Sequence, residues 1–499
     1  MLINSRKEVK RVRKTIIEHV AEYAVCQSDK VAVVAKEIET SYGELFRLVR
    51  GYSRFLRESG VKKGDIVVVK ASQSLEYVVI YLAIHLCGAV VSSAEKSVSE
   101  DGLKGIATKL AANVIIADEF EMKDVIFLSP KNILETANEY FVEDYEYEFP
   151  DLEDSADILF TTGTTGASKG VELSHKALVA TAENLIYGCG YKRDTVLIVP
   201  GPLNHANAIR KVFTTLINGS TVYILNGMLS INAFYKALDY EKGTIACCLP
   251  PSAVRRIFQI TEDKLGEYAD KIDFIESASS PLPEPDKQRL CRLLPNTRLF
   301  NNYGSSESAS VCMYDYNKNP GLVGCIGKAM PNSEIIVVDE NRQIIKSSKE
   351  QMGYIACKGD VNMKGYVNDP ETTKEVLIDG IVYTNDIGYI DENGFIYISG
   401  RKGDVINVGG LKVAPTEVES VALEYDGIGE CICIGVDDET SGKALKFLYV
   451  LNKNAEFNLK EFRKFLTKKL ESYKVPSYYE EVEEIAKTYN GKIDRKHYL

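Results

Sequence analysis

Residues 158–175 constrain the fold of this chain more than any other stretch. An apolar segment, Ile158 to Phe160, runs directly into residues 161–170, which are almost entirely Gly, Thr, Ser and Lys. Glycine lets the backbone turn sharply and approach a ligand closely. Threonine hydroxyls and backbone N–H groups donate to phosphate oxygens, and Lys169 adds a positive charge. The stretch therefore predicts a buried strand that ends in a loop holding a nucleotide triphosphate.

This loop differs from the P-loop of common NTPases. A P-loop needs Gly-Lys followed by Ser or Thr and an immediate helix, whereas Lys169 follows Ser168 and precedes Gly170. Residues 171–173 alternate like a short strand, and Ser174 is a good N-cap for a helix that begins after it. The alternative is a plain surface turn, but so many small hydroxylated residues directly after a buried strand are atypical of one.

Composition excludes several classes of protein. The chain has 499 residues, which is enough for two or more domains. Its net charge of −11 argues against a nucleic-acid binder. No apolar run reaches the ~18 residues of a transmembrane helix. Residues 1–14 are basic but no apolar region follows, so we expect no secretory signal.

Cysteine usage predicts reduced thiols. The chain has 11 Cys, an odd count. It lacks Cys-x-x-Cys pairs, and neighbours such as Cys247 and Cys248 are too close for ordinary bridges or zinc sites. Most lie in apolar, strand-like runs, which favours buried free thiols and a cytoplasmic location.

The order of patterns predicts an α/β architecture. An amphipathic helix over 41–57 is followed by a strand at 66–69, a helix at 75–87 and a strand at 89–92, which is typical of a parallel sheet. Further strands at 196–200, 221–225, 244–249 and 272–277 each end in small or turn-forming residues. Ligands bind beyond such strand ends in open α/β sheets.

Three other regions differ from this α/β pattern in their composition or in the spacing of their apolar residues. Residues 119–150 are acidic and aromatic, and we interpret them as a connecting excursion. Short alternating strands from about 322 to 399 predict an all-β subdomain. The last ~100 residues predict a separate C-terminal domain of mixed strands and helices.

Five segments together resemble one family. They are the loop at 161–170, Tyr303-Gly304-Ser305-Ser306-Glu307, Tyr383-Thr384-Asn385-Asp386, Gly400-Arg401 and Asn490-Gly491-Lys492-Ile493-Asp494-Arg495. In this order and rough spacing they resemble the adenylate-forming superfamily of acyl-CoA synthetases, peptide-synthetase adenylation domains and luciferases. The resemblance spans nearly the whole chain. It implies an N-terminal domain, 1–400, with two α/β sheets and a small β subdomain, and a small mobile α+β C-terminal domain, 401–499.

The resemblance also implies an activity. A carboxylic acid reacts with ATP to give an acyl-adenylate and pyrophosphate, and the acyl group then passes to a thiol. The implied ATP- and AMP-binding residues are Thr161, Thr162, Gly163, Thr164, Thr165, Gly166, Lys169, Ser279, Asn302, Tyr303, Gly304, Asp386 and Arg401. Glu307 is the implied ligand of Mg²⁺, a hard cation that prefers oxygen donors.

Catalysis and domain rotation are implied for a second set of residues. Lys492 stabilises charge developing on the α-phosphate, Ser306 contacts that phosphate, and His205 contacts the carboxylate and gates the thiol tunnel. Lys402 and Gly403 form the hinge, and Gly409 and Gly410 face CoA. Gly403 stands where the family generally has Asp or Lys, so we expect the rotation to persist but to be less sharply two-state. Ser168 likewise replaces the usual Pro.

The acid and its acceptor are constrained only in part. Ala206 stands where relatives that take α-amino acids usually have Asp, which argues against an α-amino acid. Gly304 stands where acetate-type relatives have Trp, which leaves room for a larger acyl group. Asn204, Asn207 and Arg210 near the pocket entrance admit a polar or aromatic acid.

Three functional hypotheses remain. CoA is the expected acceptor, because no carrier domain follows Lys492 before the chain ends at Leu499. A free-standing adenylation enzyme that loads a separate carrier protein is the alternative. An inactive relative that holds a nucleotide as a regulatory or scaffold protein is the third.

Overall fold

The structure is a computed structural model that describes residues 13–160, 169–228, 230–408, 411–438, 442–452, 455–487 and 493–498. Its helices are α1 (Ile16–Cys26), α2 (Tyr42–Glu58), α3 (Leu75–Leu86), α4 (Glu100–Leu110), α5 (Ile133–Tyr140), α6 (His175–Cys189), α7 (Ala206–Ile217), α8 (Ile231–Leu238), α9 (Pro251–Thr261), α10 (Glu284–Leu293), α11 (Pro370–Val376), α12 (Pro415–Ala422) and α13 (Leu459–Lys469). Short 3-10 helices occupy Lys264–Tyr268, Ser472–Lys474 and Arg495–Tyr498.

The strands of the first half are β1 (Val31–Ala35), β2 (Ile38–Ser41), β3 (Ile66–Lys70), β4 (Val90–Ala94), β5 (Val114–Ile116), β6 (Ile126–Leu128), β7 (Ser155–Phe160), β8 (Gly170–Ser174), β9 (Thr195–Val199), β10 (Thr221–Ile224), β11 (Thr244–Cys248), β12 (Ile272–Ser277), β13 (Arg298–Ser305) and β14 (Ala309–Asp315). Those that follow are β15 (Cys325–Ala329), β16 (Glu334–Val338), β17 (Gly353–Lys358), β18 (Gly365–Tyr366), β19 (Leu377–Ile378), β20 (Ile381–Ile390), β21 (Ile396–Arg401), β22 (Ile406–Val408), β23 (Leu411–Val413), β24 (Ile428–Asp438), β25 (Gly442–Leu451) and β26 (Tyr478–Glu481).

Two large sheets form the N-terminal part. One has the order β16-β17-β20-β21-β15-β14-β13-β12-β11-β9-β10-β1-β2, and the other has the order β18-β8-β7-β4-β3-β5-β6. In the first sheet β13, β12, β11, β9, β10 and β1 form a parallel run, and β14 pairs antiparallel with β13. The main core contains side chains of both sheets together with those of α2, α3, α6 and α7. The parallel α/β fold predicted from the alternating pattern is confirmed.

The helix cap predicted at Ser174 is confirmed, and a second cap is found at Ser41, which the predicted helix 41–57 included. Ser41 caps α2 by accepting a hydrogen bond from the backbone N–H of Glu44 at 3.2 Å. Ser174 likewise caps α6, directly after β8, by accepting from the N–H of Ala177 at 3.2 Å. These short side chains satisfy backbone donors that the first turn of a helix leaves without partners.

The region 119–150 is more ordered than a connecting excursion. It contains β6 and α5, and α5 packs against α2. The guanidinium of Arg50 lies 5.1 Å from the ring centre of Phe141 and 5.3 Å from that of Tyr147. These contacts could not be read from the sequence, because cation–π pairs leave no periodic pattern in it.

Strands β15, β16, β17, β20 and β21 extend the first sheet. The prediction that residues 322–399 are all β is corrected, because they include the helix α11, and their strand β18 pairs with β8 in the second sheet. Strand β15 pairs with β14 on one side and with β21 on the other, so the β subdomain is continuous with the α/β part. The C-terminal part has its own sheet, in the order β24-β25-β26, and its own core around Val418, Phe447 and Phe462. The predicted boundary between residues 400 and 401 stays a prediction; β21 runs to Arg401.

Two further findings concern location and redox state. Among the helices that the structure describes, none is long and apolar enough to cross a membrane. All cysteines of the chain lie within the described residues and are free thiols, and Cys26 is the exposed one.

Candidate active site

Strand β13 gives the site its two sides. The side chains of consecutive residues in a strand point to opposite faces of the sheet. Asn302 and Tyr303 therefore contact different neighbours. Asn302 contacts Glu276 of β12, and Tyr303 contacts Asp386 of β20. Both residues lie close to the carboxyl end of a parallel strand, the edge where the sequence predicted a ligand.

The Tyr303 side holds a compact cluster of three predicted nucleotide-binding residues. The hydroxyl of Tyr303 donates to Oδ2 of Asp386 at 2.5 Å, and Nε of Arg401 donates to Oδ1 at 2.6 Å. Asp386 and Arg401 are paired directly across β20 and β21, which fixes their separation. Tyr303 and Asp386, which are 83 positions apart in sequence, are therefore in direct contact.

The electrostatics of this cluster follow from burial and from the shared carboxylate. Burial, reinforced by the charge of Asp386, raises the pKa of Tyr303 well above its ordinary value. Burial lowers the pKa of Arg401, but the charge and hydrogen bond of Asp386 outweigh it, and the net shift is upward. Tyr303 is therefore a neutral donor and Arg401 a permanent cation at physiological pH.

Glu307 lies on the same hairpin and is held by a residue that the sequence analysis missed. The hydroxyl of Tyr366 donates to Oε1 of Glu307 at 2.8 Å. The backbone N–H of Met363 donates to the carbonyl of Glu307 at 2.7 Å. The ring centre of Tyr366 also lies 5.0 Å from Nζ of Lys169. Lys169 is the residue at which the structure resumes within the predicted phosphate loop.

The connection between Tyr366 and the loop is built into the second sheet. Strand β18 pairs with β8, so that Tyr366 stands opposite Val171, and Val367 N–H donates to the carbonyl of Gly170 at 2.9 Å. The signal in the sequence was the run Gly365-Tyr366-Val367-Asn368-Asp369-Pro370, whose two-residue strand is too short to show a period. Residues 161–166 of the predicted site lie outside the described residues.

The donor set around Glu307 fits Mg²⁺. One carboxylate, with a lysine beside the ring of the tyrosine that holds it, is the sparse protein contribution with which Mg²⁺ binds nucleotides. Within the described residues, no group of three or more His, Cys, Asp or Glu side chains forms a complete metal cage. The arrangement therefore suits a cation whose remaining ligands are phosphates and water.

Helix α7 forms the opposite wall and begins beside the predicted acyl pocket. His205 occupies its N-cap position and Ala206 its first turn. The guanidinium of Arg210 donates to the carbonyls of Ser305 and Ser306, each at 3.1 Å. Burial lowers the pKa of Arg210 to about 10, so it remains charged at neutral pH. Arg210 thus ties the helix of the acyl wall to the loop that carries Ser306.

The backbone packing around position 304 requires glycine, independently of the pocket space inferred from the sequence. A Cβ at this position would lie 1.6 Å from the carbonyl oxygen of Ala309. The β13–β14 hairpin therefore requires glycine here, whatever acyl group the site takes. Ser279, after β12, has a φ of 78°, a strained conformation for a non-glycine residue and one that is enriched at functional sites.

The predicted hinge follows directly from the Asp386–Arg401 pair. The N–H of Lys402 donates to the carbonyl of Asn385 at 2.8 Å, and its Nζ lies 5.1 Å from the ring centre of Tyr354. A Cβ at Gly403 would meet no atom within 4 Å. Lys492, Gly409 and Gly410, the predicted catalytic lysine and CoA face, lie outside the described residues.

The fold and this site define an adenylate-forming enzyme. The chain matches the model of the AMP-binding enzyme family over residues 20–367 and that of the AMP-binding enzyme C-terminal domain over residues 417–492. It belongs to the AMP-binding enzyme family. As such it is an AMP-forming acid–thiol ligase, which activates a carboxylic acid with ATP.

Relatives and solved structures agree with this assignment. The chain is 29% identical to the long-chain-fatty-acid–CoA ligase of Bacillus subtilis (strain 168), covering 97% of this chain and 94% of the relative. It is 26% identical to the 2-succinylbenzoate–CoA ligase of Geobacillus sp. (strain WCH70), covering 94% of each. ATP-bound MatB from Rhodopseudomonas palustris has the same fold, with a TM-score of 0.86, 24% identity and coverage of 97% and 98%.

Proposed function

We propose that this enzyme activates a carboxylic acid other than an α-amino acid with ATP and Mg²⁺, and transfers the acyl group to coenzyme A. The observation that carries the residue assignments is the contact of Tyr303 and Arg401 with the carboxylate of Asp386, with Glu307 on the same hairpin as Tyr303. These groups come from separate strands and match the chemical needs of a nucleotide and its metal.

The nucleoside lies on the Tyr303 side of β13. The ring of Tyr303 offers a face on which adenine stacks. Asp386 accepts hydrogen bonds from the ribose hydroxyls, and the adjacent Arg401 supplies fixed donors. Asp386 is 5% exposed and both of its oxygens accept internal hydrogen bonds, so ribose binding exchanges one of these bonds for a substrate hydroxyl. Ser279 and Gly304 border this position.

The triphosphate is bound by Lys169, Glu307 and the residues of the predicted loop, 161–166. Glu307 would hold the Mg²⁺, which supplies charge neutralisation for the leaving pyrophosphate. Tyr366 fixes the orientation of Glu307 by donating to one of its oxygens, and it also provides an aromatic face for Lys169. A single tyrosine thus positions both the anionic and the cationic side chain around the phosphates.

The acid lies on the α7 side of the site, near His205, Ala206 and Gly304. Its carboxylate oxygen attacks the α-phosphorus of ATP, a P–O bond forms, and pyrophosphate departs with the electrons of the broken bond. Ser306 donates to an oxygen of the α-phosphate. Lys492 stabilises the negative charge that develops there, which is the largest contribution one residue makes to such a step.

The second half-reaction uses the same adenylate. The sulfur of the thiol attacks the acyl carbon, the C–O bond to AMP breaks, and AMP leaves as the anion. Rotation about Lys402 and Gly403 withdraws Lys492 and presents the face around Gly409 and Gly410 to CoA, as in other enzymes gated by domain closure.

Free thiols at all cysteines support a reducing compartment, and we place the enzyme in the cytoplasm.

One specific observation supports a second acceptor. The chain is 27% identical, over 97% of its length, to a segment that makes up 8% of tyrocidine synthase 3 of Brevibacillus parabrevis. A free-standing enzyme that loads a separate carrier protein therefore remains the alternative to a CoA ligase.

The test is pyrophosphate release from ATP and Mg²⁺ with a panel of carboxylic acids, followed by mass measurement of the thioester formed with CoA. Acid-dependent release and an acyl-CoA product support the proposal. Release without acyl-CoA, and acylation of a phosphopantetheinylated carrier instead, selects the alternative. Tight AMP binding without release for any acid contradicts both and favours an inactive nucleotide-binding protein.

A further inference from the structure

A buried polar cluster lies on the face of β13 that turns away from Tyr303. Nζ of Lys211 is 3.0 Å from Oε1 of Glu276, and Nδ2 of Asn302 donates to the same oxygen at 2.8 Å. Asn302 also donates to Oγ of Ser310 at 3.0 Å. Lys211 and Glu276 are each 1% exposed and Asn302 is 8% exposed. We call Lys211, Glu276 and Asn302 the floor cluster.

The floor cluster has hydrogen-bonding capacity left over. Within the described residues, Oε2 of Glu276 and Oδ1 of Asn302 have no hydrogen-bond partner. The orientation of the Asn302 amide is fixed chemically, because the Glu276 carboxylate only accepts and must face the NH₂ group. Both orphaned atoms are therefore acceptors. Buried acceptors without partners are rare and costly, which points to a partner that arrives with a ligand.

The position of the cluster identifies that ligand. Lys211 lies one turn along α7 from Asn207, which is half-buried and contacts Sγ of Cys248 at 3.6 Å. Cys248 pairs with Glu276 across β11 and β12. Asn302 shares its face of β13 with Gly304, which is exposed at the mouth of the site. The cluster therefore lies on the same side of β13 as the first turns of α7, the side on which the acyl group is proposed to bind.

Local charge decides what kind of donor fits. Lys211 and Glu276 neutralise each other, while Arg210, the neighbouring residue of α7, is a buried cation whose hydrogen bonds go to backbone carbonyls. An ammonium group on the substrate would add a further positive charge near Lys211 and Arg210, where the Glu276 carboxylate is already paired with Lys211. A neutral donor satisfies both acceptors without that repulsion.

We infer that the acid activated by this enzyme carries a neutral hydrogen-bond donor, a hydroxyl or an aryl amine, on the part of the acyl group distant from the carboxylate. The inference rests on the proposed function, because it requires the acyl group to lie between α7 and β13. It assigns Glu276 and Asn302 as specificity-determining residues, in place of the nucleotide contact that the family resemblance implied for Asn302, and distinguishes this enzyme from ligases of plain fatty acids.

The experiment compares acids that differ only in the donor, using acid-dependent pyrophosphate release with the full-length enzyme. Suitable sets are hexanoate with 6-hydroxyhexanoate, and benzoate with 3-hydroxybenzoate, 4-hydroxybenzoate and 3-aminobenzoate, with 6-aminohexanoate as the ammonium control. We expect kcat/KM to be at least about tenfold higher for hydroxyl or aryl-amine acids than for their unsubstituted partners, and lower again for the ammonium acid. Equal values for substituted and unsubstituted acids overturn the inference while leaving the proposed function intact. Failure of every acid to support pyrophosphate release overturns both the inference and the proposed function.

A variant places the effect on the cluster. Asn302→Leu removes one orphaned acceptor, and we expect the preference for the hydroxylated acid to fall by about tenfold or more, mainly through loss of activity with that acid. Thr214→Val is the matched control, because Thr214 is a fully buried residue of α7 whose hydroxyl bonds only within the helix, to the carbonyl of Arg210 at 2.7 Å. An unchanged preference in a folded Asn302→Leu enzyme contradicts the assignment. The comparison of acids with the natural enzyme does not depend on the variant folding.

Discussion

The hydroxyl of Tyr366 donates to Oε1 of Glu307 at 2.8 Å, across 59 residues of sequence. Tyr366 belongs to β18 in one sheet, and Glu307 belongs to the turn between β13 and β14 of the other. The bond therefore connects the two sheets at the place where the phosphates and Mg²⁺ are proposed to bind. It makes the orientation of the metal ligand a property of both halves of the N-terminal part.

Tyr366→Phe should weaken the use of Mg²⁺ more than the binding of AMP. A hydrogen bond to a charged acceptor contributes about 1.5–3 kcal/mol, so we expect the Mg²⁺ concentration for half-maximal activity to rise at least about fivefold. Titration of the adenylation rate with Mg²⁺ measures this. Tyr240→Phe removes a comparable bond, from Tyr240 to Glu39 at 2.9 Å on the surface, and should change nothing. Equal Mg²⁺ requirements in all three enzymes would refute the positioning role of Tyr366.

Asp386→Asn should impair nucleotide binding. It removes the charge that pairs with Arg401 and one of the acceptors proposed for the ribose. We expect KM for ATP to rise by about tenfold or more, with a smaller effect on KM for the acid, because the acid lies on the other side of β13. Asp239→Asn is the control, since Asp239 also pairs with a cation, Lys271, but on the surface. A change confined to KM for the acid would place Asp386 elsewhere in the mechanism.

Gly403→Pro tests the hinge. Proline fixes φ, so one orientation of the C-terminal domain should be favoured over the other. We expect one half-reaction, adenylation or thioester formation from supplied acyl-adenylate, to slow by about tenfold or more while the other changes by less than about threefold. Gly403→Ala is the control, because a Cβ there meets no atom within 4 Å. Proportional slowing of both steps would argue against rotation at Gly403.

His175 should make stability depend on pH. It is fully buried, its two ring nitrogens lack hydrogen-bond partners within the described residues, and burial lowers its pKa well below the ordinary value of 6.5. Below pH 6.5 the unfolded chain takes up a proton at this position that the folded chain excludes, so the free energy of unfolding falls as pH falls. The slope from this residue approaches about 1.4 kcal/mol per pH unit.

Chemical unfolding between pH 7.5 and 5 measures this dependence. His175→Phe keeps an aromatic ring against His85, whose ring centre is 4.8 Å away, and should give a flatter profile. His497→Gln, at an exposed histidine, should leave the profile as it is. A His175→Phe profile as steep as that of the natural enzyme would show that another group causes the slope.

Much of the fold was predictable because its elements carry strong local signals. The approximate limits of α2, the cap at Ser174 and the parallel strands all follow from periodicity and capping. The packing of 119–150 on α2 was not predictable, because Arg50 and Phe141 interact through tertiary contact alone. The same holds for the continuity of the β subdomain with the first sheet, which depends on the β14–β15 pair.

The site was predictable where short motifs carry it. Tyr303, Glu307, Asp386 and Arg401 were all singled out, and the structure brings the first, third and fourth together. Tyr366 was missed because its strand has two residues. Of the floor cluster, Asn302 was singled out as a nucleotide-binding residue, whereas Lys211 and Glu276 were missed because they stand in apolar surroundings without a motif. Pairs of this kind become visible only when distant elements pack.

The central claim is that one site performs adenylation and thioester formation in turn, with Lys492 needed for the first step only. Its most direct test is Lys492→Ala, measured separately for pyrophosphate release from ATP and acid and for thioester formation from supplied acyl-adenylate. We predict that adenylation falls by about a hundredfold or more, whereas thioester formation stays within about threefold of the natural rate. Equal loss of both half-reactions, or unchanged adenylation, would contradict the account.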